Sequence, residues 1–175
     1  MKTKTAIFLF LICILLTAFG CTAPTEQSSA GRAILPPDVA GTWKAQDSPW
    51  KIVLNHNGTV SSAVIPMGEV EIEPNQTNKI EMKDGSFSTF KAGDFIVEYM
   101  TKTRELFISI EIEEIHIKFL DNVIDGNSVD RFVGPVSEDG KFWRADWITV
   151  FDYGPLLPQE PNDIFAKPLT FEKME

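Results

Sequence analysis

No stretch of the chain constrains its fold more than Glu105 to Phe119. Leu106, Ile108, Ile110 and Ile112 alternate with Phe107, Ser109 and Glu111, the period of two by which a β-strand sends neighbouring side chains to opposite faces. At Glu113 and Glu114 the phase slips by one residue, and Ile115, Ile117 and Phe119 then hold the apolar side. A one-residue slip would turn every later side chain to the wrong face, so a β-bulge or a strand break is expected at the two glutamates. No run of ten or more residues has helical periodicity, and short β-type runs are punctuated by hairpin turns.

The turns set the strand order. Trp50 to Leu54 and Thr59 to Ile65 flank Asn55, His56, Asn57 and Gly58, whose Asn-Gly end supplies the positive φ of a tight hairpin. Glu69, Glu71 and Glu73 alternate with Val70 and Ile72 in a half-exposed strand. Lys79 to Met82 and Phe87 to Phe90 flank Asp84-Gly85, and Phe95 to Met100 is joined to Glu105 to Ile112 by Thr101 to Arg104. Val129 to Val136 is followed by a turn at Ser137 to Gly140 and a return over Lys141 to Val150. Pro155, Pro158, Pro161 and Pro168 argue against a central strand or a helix after Gly154, with Leu169 to Met174 as a last strand. The expected fold is all-β: an antiparallel meander closed into a barrel, with a two-sheet β-sandwich as the alternative.

Residues 1 to 37 read as an address. Lys2 and Lys4 precede an unbroken apolar run from Ala6 to Leu16, and Ala18, Phe19 and Gly20 form a cleavage site. Such a run is shorter than the roughly 20 apolar residues that span a bilayer, so residues 1 to 20 are expected to be a secretory signal. Cys21, directly after the cut, resembles the lipobox cysteine of bacterial lipoproteins. That resemblance implies a lipid on Cys21, membrane attachment through it, and a place in the cell envelope, at the outer membrane if the envelope is Gram-negative, since Thr22 is not Asp. Ala18 stands where a lipobox usually has Leu; cleavage by an ordinary signal peptidase, giving a soluble secreted or periplasmic protein, is the alternative. Cys13, the one other cysteine, lies inside the signal and leaves Cys21 without a disulfide partner. Residues 21 to 37, rich in Thr, Ser, Ala, Gly and Pro, read as a flexible tether with a reach of roughly 20 to 25 Å. Residues 38 to 175 form the single domain, with a proline-rich segment over 154 to 168.

Charge narrows the partners. Loss of residues 1 to 20 removes two of the 16 basic residues and none of the 25 acidic ones, leaving a net charge of −11. Nucleic acid is therefore disfavoured, because phosphate binding needs clustered Lys and Arg, and the arginines are only Arg32, Arg104, Arg131 and Arg144.

Gly41, Thr42 and Trp43, followed by Trp50, Ile52, Leu54, the Asn57-Gly58 turn and Val60, resemble the opening of calycin-type barrels, the lipocalins, avidins and bacterial lipocalin-like domains. The stretch from Ile124 to Asn127 through Gly140 to Trp143 is similar to their closing hairpins. The resemblance implies a floor tryptophan at Trp43 and an arginine set against it from the last strand, a role open to Arg131 or Arg144.

Trp143, Ala145, Trp147, Thr149 and Phe151 share one strand face, which is expected to point inward. Such a face is either one wall of a ligand cavity or part of a filled core. The candidate cavity residues are Trp43, Trp50, Tyr99, Trp143 and Trp147. His56 and His116 are far apart and no metal motif is present, so no metal or other cofactor is expected. Asp121, Asp125, Asn127 and Asp130 resemble a calcium loop only in composition and read as a solvated acidic loop. Acidic pairs such as Glu113-Glu114 come with no recognisable catalytic motif, and no catalytic residue is assigned. Carboxylate chemistry would require a group such as Glu98 buried beside a second titratable side chain. The function expected is non-catalytic binding of a small apolar or aromatic ligand inside the barrel. The alternative is an interaction module with a filled barrel that docks another envelope protein.

Overall fold

The computed structural model describes residues 34–81, 86–119, 122–154 and 165–175. The expected signal, Cys21, the expected tether up to residue 33, the Asp84-Gly85 turn expected from the sequence, Asp121 and the first three of the late prolines lie outside them. The described residues form ten strands: β1 Gly41–Ala45, β2 Lys51–Leu54, β3 Val60–Ile65, β4 Val70–Ile72, β5 Thr77–Glu81, β6 Phe87–Met100, β7 Glu105–Phe119, β8 Asn122–Pro135, β9 Phe142–Asp152 and β10 Phe165–Lys173. All belong to one antiparallel sheet in the order β4-β3-β2-β1-β10-β9-β8-β7-β6-β5. The two-sheet sandwich is thereby set aside. Pairing of β1 with β10, Trp43 opposite Lys173, joins the first strand to the last, and the barrel is complete except between β4 and β5. Across that seam Asn78 Nδ2 donates to the Glu71 carbonyl at 2.7 Å, a side chain standing in for ladder bonds.

The bulge falls at the two glutamates. Between β7 and β8 the register passes from Ile112 opposite Ser128 to Ile115 opposite Gly126, so Ile112 and Ile115 both face the interior. Lys91 holds the displaced residues on the outside, with Nζ 2.8 Å from Glu113 and 3.0 Å from Glu114. Their carboxylates raise the Lys91 pKa. The Asn57-Gly58 turn is also present, with Gly58 at φ 72°.

Two expectations need correction. Pro168 lies within β10, a strand flanked on both sides, and pairs with Asp146 of β9. The strand tolerates it because β1 first meets β10 at Phe171; at Pro168 the far side is unpaired, and the missing N–H interrupts no ladder there. Further, neither Arg131 nor Arg144 reaches the floor tryptophan, since both are exposed. The last strand supplies a lysine instead: Lys173 Nζ sits 5.9 Å from the Trp43 ring centre and donates to the Pro37 carbonyl at 3.0 Å.

The lower half of the barrel is solid. Trp43 Nε1 donates to Val39 O at 2.9 Å and Trp143 Nε1 to Gly134 O at 3.1 Å, so both indoles are buried with their polar atom satisfied. Phe171 stacks on Trp143 at 4.7 Å and meets Phe132 edge-on at 5.7 Å. Residues 34 to 40 close this end. Leu35, within the segment read as tether, is 1 % exposed, and its N–H donates to His56 O. Arg104, in the β6–β7 turn, ties that plug to the wall. It donates to Asp38 Oδ2 at 2.6 Å, to Ser137 O at 2.9 Å and to Val136 O at 3.2 Å. Gly140 lies against the plug at φ 67°, where a Cβ would stand 2.7 Å from the Asp38 Cβ.

Candidate functional site

Above Phe132 the interior opens into a cavity of about 620 Å³. Three neighbouring strands and the turns at the open end build it. In β8, Ser128 and Asp130 line the cavity and share one face with Phe132, which is buried behind Trp50 and Trp147; in β9, Trp147, Thr149 and Phe151 share the lining face. The β8–β9 register places Asp130 opposite Thr149 and Phe132 opposite Trp147. Ile112 and Ile115, brought to the same side by the bulge, continue that wall onto β7, and Trp50 and, from β3, Ile65 also line the cavity. Met67 from the β3–β4 turn, and Tyr153 and Phe165 from the two ends of the β9–β10 connection, surround the mouth.

The aromatic side chains meet mostly edge to face, which leaves ring faces available to a guest. Trp50 contacts Phe132 at 4.9 Å and Trp147 at 6.0 Å. Trp147 also meets Phe165 at 5.2 Å, and Phe151 stacks on Tyr153 at 4.8 Å.

Two polar groups stand out in this apolar wall. Asp130 is 6 % exposed and accepts from Trp147 Nε1 at 2.8 Å and from the Thr149 side chain. Burial pushes its pKa up against the pull of those two donors. Among the described residues no lysine, arginine or histidine lines the cavity. Tyr153, half-buried, has its pKa raised by burial and then by the charge of Asp130. The second group is the Trp50 indole N–H. It is buried and has no acceptor, alone in this respect among the buried side-chain polar atoms of the described residues. A buried donor left open costs roughly 1–3 kcal/mol, and an acceptor on a bound molecule would relieve that cost.

Of the five candidate residues, the structure brings Trp50 and Trp147 together at the cavity. Trp43 and Trp143 belong to the solid lower half, and Tyr99 lies in β6 opposite Leu106, away from the cavity lining. Asp130, grouped by composition with an acidic loop, is instead the buried carboxylate of the site. Its former companions point elsewhere: Asp125 is exposed and pairs with His116, and Asn127 is exposed. The signal for Asp130 was its spacing from Phe132. Glu98 is exposed, so a buried carboxylate beside a second titratable group is found at Asp130 and Tyr153 rather than there. A second cleft, of about 700 Å³, lies outside the floor among Asp38, Asp139, Lys141 and Lys173. Its charged groups are exposed or half-buried, and among the described residues lining it none is a buried polar group comparable to Asp130. No group of three or more metal-ligating side chains occurs among the described residues. No family profile, curated protein or solved structure matches this chain, so a functional reading must rest on the cavity itself.

Proposed function

We propose that this is an exported, lipid-anchored binding protein of lipocalin-like type, which holds a small, largely apolar or aromatic molecule in the upper half of its barrel without transforming it. The observation that carries the reading is the cavity: about 620 Å³, walled by Trp50, Trp147, Phe151 and Ile115, with few polar groups. That volume and lining suit a drug-sized ligand. The alternative, an envelope interaction module with a filled barrel, draws support from the lower half alone.

Titration with the neutral fluorophore N-phenyl-1-naphthylamine tests the proposal. Saturable binding of one molecule, with quenching of tryptophan emission, is expected. Ser128→Trp should fill the cavity from β8 and weaken binding at least tenfold while the protein stays folded by circular dichroism. Binding that does not saturate, or that survives Ser128→Trp unchanged, would place the probe outside the barrel and remove the reading.

A further inference from the structure

Asp130 gives the cavity a chemistry narrower than apolar binding. The carboxylate is held from two sides, by Trp147 Nε1 at 2.8 Å and by the Thr149 side chain, both as donors. Two donors aimed at one carboxyl favour its charged form, yet among the described residues no basic side chain lines the cavity beside it, where Ser128, Thr149, Trp147 and Tyr153 stand. Burial without a counter-ion opposes the charge. A barrel interior that needed only shape and oil would place an apolar residue on this strand face, as β8 does one step lower at Phe132. Around the carboxylate stand Trp50, Trp147, Phe151, Tyr153 and Phe165, and the negative faces of aromatic rings attract a cation within about 6 Å. At longer range, an acidic protein draws cations towards itself.

We infer that the cavity takes a hydrophobic amine in its protonated or quaternary form, its ammonium paired with Asp130 and its apolar body held against the aromatic wall. Fatty carboxylates and other anions are excluded by the same carboxylate. This inference rests on the proposed binding function and assigns its ligand class. Ionisation of Asp130 is then the protein's half of the ion pair. Among the described residues Tyr153 is the one other titratable side chain at the cavity, and its raised pKa keeps it a neutral phenol in the working range.

A matched series separates the two ideas: 2-phenylethylamine, 2-phenylethanol and 3-phenylpropionate, each used to displace the neutral fluorophore. The amine should displace it at a concentration at least tenfold below that of the alcohol, and the acid should be the weakest. In Asp130→Asn the ratio of amine to alcohol should fall to about one. Wild-type protein gives a check that needs no variant: the amine's advantage should shrink as pH is lowered through the protonation of Asp130, while the alcohol's affinity stays level. An alcohol that competes as well as the amine, or an amine preference kept by Asp130→Asn, overturns the ligand class while leaving the cavity reading in place. Failure of the fluorophore and of every member of the series overturns both.

Discussion

Asp130 is a carboxylate placed where the barrel would otherwise put a hydrocarbon, and it should impose its own pH dependence on stability. Its folded pKa is raised by burial, whereas in the unfolded chain it is near the ordinary value of about 3.9. Between those two values the folded state holds the proton that the unfolded state releases. Stability is therefore fully present below the lower value, falls as pH rises to the upper one, and is level beyond it. Asp130→Asn keeps an acceptor for Trp147 Nε1 and removes the charge, so urea unfolding of this variant should lack that decline and show a higher midpoint than wild type at pH 7. A variant that unfolds more readily at every pH would mean the carboxylate is stabilising instead. At this scale the sequence is legible for apolar groups and poorly so for Asp130. Alternation identifies Trp147, Thr149 and Phe151 as inward because their outward neighbours, Asp146 and Asp152, are charged. Asp130 gives the opposite impression, since an acid in a run with Asp125 and Asn127 looks solvated until Phe132 sets the phase of its strand. The cation at Trp43 was hidden for a related reason: the position on the last strand is what matters, and a lysine four carbons long reaches the ring as an arginine would.

At the level of elements, the floor is held by a turn rather than by a strand. Arg104 joins the β6–β7 turn to Asp38 of the plug and to the carbonyls of Val136 and Ser137. Arg104→Ala should cost about 2 kcal/mol, the net worth of hydrogen bonds involving a charged partner, read as a lower urea midpoint. The Arg104 guanidinium holds the Asp38 carboxyl below its usual pKa. Its contribution is therefore present above about pH 4 and is lost as pH falls through the lowered folded value. The gap between wild type and Arg104→Ala should close in acid; a gap independent of pH would assign the cost to packing of the arginine stem. Hairpins and the bulge were readable because each leaves a local mark: Asn57-Gly58 for the turn, Glu113-Glu114 for the slip. The plug left none. Leu35 follows a stretch of small and polar residues with only Ile34 between, and its burial and the contact of its backbone with His56 reveal that the barrel begins before Asp38.

For the whole molecule, the barrel is divided into two storeys. Below, tryptophan and phenylalanine interlock with their polar atoms satisfied; above, similar residues surround a void with one buried acid, lined by no basic side chain among the described residues, and one open donor. Whether the interior would be filled or hollow could not be read from the aromatic stripe of β9, since that single strand serves both storeys, Trp143 in the core and Trp147 at the cavity. The proposed address is a separate property that rests on residues 1 to 21 alone. Mass spectrometry of protein from a bacterial membrane fraction should find a mature chain starting at Cys21 with a diacylglyceryl adduct; a free thiol there would make the protein a soluble one.

Pairing of the first strand with the last also fixes where force enters the molecule. Ile34 approaches the barrel at the floor, beside Leu35 and its bond to His56, and Lys173 of β10 grips Pro37 at the same end. Any pull transmitted through the chain before Ile34 is taken up by the plug, the Arg104 clasp and the β1–β10 ladder. The aromatic mouth lies at the other end of the barrel, so if the chain is anchored through its N-terminus as proposed, the load path runs through the floor and not through the cavity lining.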